Sequence, residues 1–336
     1  MKLIFSPSHY PFFNLALEEY LSNFTDKESE YLLFYRNEPT LVMGKNQNAW
    51  EEMNYNYLNS QNILLSRRIS GGGTVYHDLN NLNFSFIKPL NTKMVANYDS
   101  LLQPIVEFLK TLGLNASIGK RSDIWLENKN EKGEIEKRKI TGTAQYTNRN
   151  RFITHGTLLF DTNLEKLEKA ITIPTNVEVA SKSLKSVRSK VINIKEILEE
   201  NKFKSIPTIK EFEEKLAHFM LAYFNKSVEL YKFTEEETNE IEKLAEEKYK
   251  SFEWIWGRSP ASEVTRKITF KNQEYSIKIK LSRGAIIQEI EIVNTIENSF
   301  LNKELQNLIN QVYKKEELEK ILLPIGFTEE ELRLWF

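Results

Sequence analysis

The chain contains no cysteine. Disulfides, iron–sulfur clusters, thiolate zinc sites and any cysteine nucleophile are thereby excluded. The absence suits a reducing cytoplasm. Histidine is scarce as well. The four, His9, His77, His155 and His218, stand far apart, and none are paired at metal-ligand spacing. An excess of one charge is also missing: 46 Lys and Arg against 47 Asp and Glu leave a net charge of −1. That balance gives no reason to expect a nucleic acid or an anionic membrane as partner. Apolar runs such as Phe219–Phe224 fall far short of the ~20 residues that span a bilayer. The opening stretch has one early lysine and then a proline, without the apolar core or cleavage site of a signal peptide. The expectation is a soluble, cytoplasmic protein.

What is present reads as an ordinary globular chain. Its 336 residues, 40% hydrophobic and 28% charged, suggest two domains or one large domain with an appendage. Asn14–Ser22 has the spacing of an amphipathic helix, with Glu18 and Glu19 beside its apolar face. Tyr31–Tyr35, Thr40–Met43, Asn62–Arg67, Asn83–Ile87 and Gly156–Phe160 read as strands. Tyr98–Leu112, Leu164–Ala170, Ile209–Phe224 and Glu235–Tyr249 read as helices. Asp123–Leu126 and Arg138–Ala144 suggest the arms of a hairpin, with the charged stretch Glu127–Lys137 as its solvated loop. After Ser251, Phe252–Trp256, Arg266–Phe270, Tyr275–Leu281 and Ile286–Val293 read as strands, with turns at Lys271-Asn272 and Arg283-Gly284. The mixture predicts an α/β or α+β protein with a mixed sheet in its first domain and a boundary near 245–252.

Arg67-Arg68-Ile69-Ser70-Gly71-Gly72-Gly73-Thr74-Val75-Tyr76-His77-Asp78 carries the strongest chemical signal. A glycine run lets the backbone turn sharply and approach a ligand, and successive amides can hold an anion. Arg68 adds a positive fork suited to phosphate or carboxylate. The plain alternative is a glycine turn with a surface arginine pair. The run is neither a Walker A loop nor a dinucleotide fingerprint. A second candidate is Lys139, at a strand start before Ile140-Thr141-Gly142-Thr143-Ala144, where small residues leave room. A lone lysine is otherwise a solvated charge. Ser70 with His77 does not make a serine nucleophile, since no GxSxG elbow is present and no carboxylate is placed to orient the histidine. His155, before an apolar strand, reads on its own as a structural histidine.

Together these pieces resemble the lipoate–protein ligase A family. The resemblance rests on RRISGGGTVYHD at 67–78, SDIWL at 122–126, KITGTAQ at 139–145, THGTLLF at 154–160 and KSVRSKVIN at 185–193. NLALEE at 14–19, NEPTLVMGKNQN at 37–48 and FEWIWGRSP at 252–260 fit the same series. It implies a fold shared with biotin ligases: a large catalytic domain over 1–248, with a mixed sheet and packed helices, and a small α+β accessory domain over 252–336. It implies that lipoate and ATP, with Mg²⁺, form lipoyl-AMP. The acyl group then passes to a lysine of a lipoyl-domain protein, such as the acyltransferase subunit of a 2-oxoacid dehydrogenase or the glycine cleavage H protein. A monomer is implied.

By position, the resemblance puts Arg68 and Ser70 beside the activated carboxylate and Gly73, Thr74, Val75 and Tyr76 in the loop over the adenylate. Lys139 would touch both the lipoate carbonyl and the α-phosphate. Asp123 would sit near the phosphate and help place Mg²⁺. Tyr35, Gly72, His77, Gly142 and His155 would shape the lipoate pocket. Lys45, Lys120 and Ser122 depart from the usual residues, and the stretch 127–137 is longer and more charged. Two rivals share parts of this reading. An octanoyl or lipoyl transferase needs a cysteine nucleophile, which is absent. A non-catalytic binder of lipoyl domains would not need Arg68, Lys139 and Asp123 together.

Overall fold

The computed structural model describes the chain apart from residues 92, 94, 96–98, 130–131, 188, 228 and 294–297. Strand β1 spans Lys2–Phe5, β2 Tyr31–Tyr35, β3 Thr40–Met43, β4 Leu64–Arg67 and β5 Val75–His77. β6 covers Asn81–Pro89, β7 Asn115–Ile118, β8 Ile124–Lys129, β9 Ile135–Thr141, β10 Thr143–Thr147 and β11 Arg151–Leu159. β12 is Val177–Ser181, β13 Glu229–Leu230, β14 Ser262–Phe270, β15 Gln273–Leu281 and β16 Ile287–Ile292.

The main sheet is mixed, as the sequence predicts, with order β10-β11-β6-β2-β1-β13. β1 runs parallel to β2 and β13, whereas β2, β6, β11 and β10 pair antiparallel. Period-two alternation splits its two faces. Leu32, Phe34, Leu82, Phe84, Phe86 and Phe152 point to one core, under the helices Asp99–Thr111 and Ile209–Tyr223. Tyr31, Leu33, Tyr35, Ile87 and Ile153 point to the other, against the helix α1, Pro11–Asn23. On that second face β6 and β11 also carry Asn83 opposite Thr157 and Ser85 opposite His155. A buried polar strip therefore runs through an otherwise apolar layer. Smaller sheets β4-β3-β5 and β7-β8-β9 flank it. The helix Ile209–Tyr223 starts in a capping box formed by Thr208 and Glu211.

Three elements differ from the sequence reading. Phe252–Trp256, read as a strand, is the short helix Phe252–Ile255, capped by Ser251 Oγ accepting from Trp254 N at 3.2 Å. A short apolar run has no period that separates strand from helix. Here the helical turn lets Trp256 pack against Trp50, with ring centroids 4.4 Å apart. Glu127–Lys137, read as a solvated loop, is largely strand, since β8 runs to Lys129 and β9 begins at Ile135. Its charges are cross-strand partners: Lys137 Nζ lies 2.5 Å from Glu127 Oε1 across the ladder. The third is a strand missed altogether. β12 pairs antiparallel with β14, so residues 177–181 supply the edge of the C-terminal sheet β12-β14-β15-β16 from ahead of the expected boundary.

The helix expected over Tyr98–Leu112 is found at Asp99–Thr111, with residue 98 outside the described residues. The turn at Lys271-Asn272 has φ of 51° and 62°, which fits a two-residue hairpin between β14 and β15. Among the described residues, no helix is long and apolar enough to cross a membrane.

Candidate active site

The glycine run leaves β4 at Arg67 and enters β5 at Val75. Gly72 has φ +88° and packs against the backbone of Gly44: a Cβ built on Gly44 would lie 2.1 Å from the Gly72 carbonyl oxygen. Only glycines allow that approach. The two arginines ahead of the run are both buried, and among the described residues neither meets a carboxylate. Arg67 donates to the carbonyls of Gly44, Gln47 and Ile255 and to Ser259 Oγ. It thus ties the loop after β3 to the segment 255–259. Burial lowers its pKa to about 9.

Arg68 donates from Nε to Ser70 Oγ at 2.9 Å, from Nη1 to Val42 O at 3.1 Å, and from Nη2 to Gly71 O and Gly73 O at 2.7 Å each. These bonds occupy most of the guanidinium's donors. The expected ligand-binding fork is therefore above all the brace of the glycine loop. Burial lowers the Arg68 pKa to about 10, which leaves it cationic at neutral pH.

A relay continues from Ser70. Its oxygen accepts from Arg68, so its hydroxyl donates to His155 Nε2 at 2.6 Å, and His155 Nδ1–H donates to Glu18 at 2.8 Å. The Tyr35 hydroxyl also donates a hydrogen bond to Glu18, at 3.3 Å. Serine, histidine and carboxylate stand in the order of a hydrolytic triad. Ser70, however, is 1% exposed and borders neither cavity described below. The relay holds Arg68 in place and offers no accessible nucleophile. Glu18 escaped the sequence reading as a site residue, although it lies inside the NLALEE block. Its burial comes from α1 turning Asn14, Leu15 and Glu18 toward the sheet.

Two cavities meet at Lys139. The first, about 440 Å³, is bordered by Tyr35, Arg68, Gly72, Gly73, Thr74, Val75, His77, Gly142 and His155 among the expected residues, and by Lys139. Arg121, Leu184, Lys185 and Val187 form its exposed side. The second, about 780 Å³, is bordered by Tyr76, Thr141, Leu159, Leu164, Leu167 and Ile171. It shares Thr74, Val75, Lys139 and Gly142 with the first. Lys139 Nζ lies 3.3 Å from Asp123 Oδ2. Asp123 borders neither cavity but backs the lysine, and its Oδ1 has no hydrogen-bond partner among the described residues. Among the described residues, no group of three His, Asp or Glu side chains is placed to hold a metal. A single carboxylate suffices for Mg²⁺ where substrate phosphates complete the shell, so Asp123 fits that ion's donor chemistry.

A strap over 181–187 closes the side of the first cavity. Glu51 and Glu52 lie on the short helix α2, Ala49–Glu52. Glu51 accepts from Ser181 Oγ at 2.5 Å and from Ser183, and pairs with Lys185 at 3.3 Å. Glu52 accepts from Ser186, whose hydroxyl oxygen in turn accepts from Thr74 N at 2.8 Å. Gln47 Nε2 donates to Ser186 Oγ at 3.0 Å. Glu51, Glu52 and Gln47 were not foreseen. Ser186 lies in the KSVRSKVIN block, whose Arg188 is outside the described residues.

His77 Nδ1 accepts from Asn37 Nδ2 at 2.9 Å, and Asn37 Oδ1 accepts from Asn14 Nδ2 at 2.7 Å. Burial, with help from Arg68 and His155, lowers the His77 pKa to about 3. The ring is neutral, with its proton on Nε2.

With this geometry in hand, the chain was compared with known proteins. The family model for the lipoyl protein ligase A/B catalytic domain matches residues 10–220. Lipoate–protein ligase 1 of Staphylococcus aureus is 38% identical over 277 residues, 82% of this chain and 79% of that protein. Lipoate–protein ligase LplJ of Bacillus subtilis is 34% identical over 312 residues, 89% of this chain and 88% of that protein. Among solved structures, lipoate–protein ligase A bound with ATP superposes with a TM-score of 0.61 and 26% identity, covering 76% of this chain and 98% of that one.

Proposed function

The chain belongs to the lipoyl protein ligase A/B family, and we propose that it joins lipoate to ATP as lipoyl-AMP and passes the lipoyl group to a lysine of a lipoyl-domain protein. The observation that carries this reading is the meeting of two cavities at Lys139. The first, whose buried end includes Leu15, Tyr35 and Val42, suits a medium-length acyl chain. The second, lined by Tyr76, Leu164, Leu167 and Ile171, suits the adenosine of ATP. Tyr35, Ser70, Gly72, His77, Gly142 and His155 then shape or back the lipoate site, and Gly73, Thr74, Val75 and Tyr76 the nucleotide side.

In the first step a lipoate carboxylate oxygen attacks the α-phosphorus. The bond to the β-phosphate breaks, and pyrophosphate leaves with the electron pair. Two anions must approach, so positive charge is needed at the junction. Arg68 is engaged by the loop carbonyls, which leaves that task to the Lys139 ammonium, with Arg121 at the rim. Asp123 is the residue that would hold Mg²⁺, which supplies charge neutralisation at the phosphates. In the second step the neutral amine of the acceptor lysine attacks the anhydride carbonyl. A carbon–nitrogen bond forms, AMP departs, and the amine's proton is released.

The 2-oxoacid dehydrogenase acyltransferases and the glycine cleavage H protein are the acceptors this reading names, in the cytoplasm that a cysteine-free chain suits. Cysteine-dependent acyl transfer is excluded by composition. Incubating an apo lipoyl domain with the chain, ATP, Mg²⁺ and lipoate, then weighing it by mass spectrometry, tests the reading. The expected result is one lipoyl group per domain, dependent on ATP. An unchanged mass would overturn it.

A further inference from the structure

Gly72, Gly73, Gly142 and Gly156 all border the first cavity. For three of them the protein itself explains the missing side chain. Gly72 has φ +88°, a conformation that side chains resist. A Cβ on Gly73 would lie 3.2 Å from Ser186 Oγ, and one on Gly156 would lie 2.8 Å from the Phe84 ring. Gly142 differs. Its backbone lies outside the left-handed region. Apart from its chain neighbours, a Cβ there would meet within 4 Å only Val75 Cγ1 at 3.5 Å and Thr157 Oγ1 at 3.9 Å among the described residues. Both are ordinary contacts, so neither packing nor backbone geometry demands glycine.

What a side chain on Gly142 would occupy is the junction. Gly142, Val75 and Thr157 each border both cavities, and all three are held by the framework. Gly142 N donates to Thr157 Oγ1 at 3.1 Å, and Gly142 O accepts from Thr157 N at 3.0 Å. Val75 is fixed on β5, opposite Val42 of β3. The ligase reading, on which this inference rests, brings the lipoate carboxylate to Lys139 at this junction, so the next carbon of the chain passes beside Gly142. A bare backbone lets that carbon come close, whereas walls carried on strands do not move aside for a branch. We propose that Gly142 is a specificity-determining residue, which seats the carbon next to the carboxylate and, with Val75 and Thr157 beside it, restricts the site to acids unbranched at that carbon.

The probe is 2,2-dimethyl-lipoate, in which one of the two added methyls faces the wall whichever way the carbon is turned. Acid-dependent exchange of pyrophosphate into ATP gives kcat/KM for each acid on the full chain. Lipoate is expected to be preferred by about a hundredfold, within the range that one misfitting carbon commands in a pocket. Val75→Ala makes room, so its kcat/KM for the dimethyl acid should rise several-fold above that of the unaltered chain, a gain that damage to the fold does not produce. Gly142→Ala should lower kcat/KM for lipoate by about tenfold or more, with a melting temperature close to that of the unaltered chain. Equal kcat/KM for the two acids on the unaltered chain would overturn the inference, and that measurement needs no variant to fold. No gain in Val75→Ala, or full activity on lipoate in Gly142→Ala, would overturn it as well. If neither acid supports exchange, the ligase reading fails and takes this inference with it. If both do so equally, only this inference fails.

Discussion

Replacing Lys139 by alanine should abolish most of the first half-reaction while leaving the fold intact. The ammonium sits where two cavities join and is only 23% exposed, 3.3 Å from a carboxylate that is 6% exposed. Alanine removes the preorganised cation and leaves the Asp123 carboxylate without its Lys139 partner. Loss of one such donor costs about 3–4 kcal/mol in the transition state, or roughly 10²–10³-fold in rate. Stability should change less. The pair lies between a surface and a buried ion pair, so about 1–2 kcal/mol is expected. That corresponds to a Tm shift of a few degrees. The assay is lipoate-dependent exchange of pyrophosphate into ATP, read beside a thermal melt. Asp123→Asn added to Lys139→Ala should recover part of the melting temperature without restoring exchange. Wild-type exchange by Lys139→Ala, with a normal melt, would refute the assignment of the junction cation.

Three further outcomes follow from the buried polar groups. Glu18→Ala orphans the His155 Nδ1–H and the Tyr35 hydroxyl. It should cost about 2–4 kcal/mol of stability, read by urea denaturation, and raise the KM for lipoate. An unaltered midpoint would mean that Glu18 does not hold the relay. Glu52→Gln weakens the hold on Ser186, so residues 182–187 should be cut faster in limited proteolysis and the KM for lipoate should rise several-fold. Equal cleavage rates would count against the strap. Finally, His77 titrates at about 3 when folded, below the ordinary value near 6.5. The unfolded chain therefore binds its proton more readily, and the stability tied to neutral His77 is fully present above pH 6.5 and lost as pH falls toward 3. Between pH 6.5 and 5 the loss should be about 2 kcal/mol. Denaturation of His77→Leu should lack that part of the slope, and an identical slope would contradict the burial argument.

The C-terminal part shows how far pattern and fold can diverge. The turn at Lys271-Asn272 was legible because two adjacent residues with positive φ suit a hairpin between alternating strands. β12 was not. Val177–Ser181 is a short alternation with little buried surface of its own, and it becomes a strand only because β14 offers an open edge. Phe252–Ile255 failed for a different reason, since four residues, three of them apolar, are too few to show a period and the choice fell to Trp50 and its neighbours. In the site, Lys139, Gly142 and the glycine run could be named from local chemistry and family resemblance. Glu18, Glu51 and Glu52 could not. An acidic side chain on a helix is ordinarily solvated, and nothing in its neighbours along the chain announces that it is buried.

Local sequence settled the glycine turn, the main strands, the absence of thiol chemistry and the family of the chain, because each depends on residue type and short spacing. Tertiary structure alone decided that Arg68 braces the loop instead of reaching outward, that Ser70 is sealed behind His155, and that Asn37 fixes the proton of His77. Those outcomes are hydrogen-bond assignments between residues up to 85 positions apart. A donor's role is set by whichever acceptor the fold brings within about 3 Å, and the linear order of residues does not encode that distance.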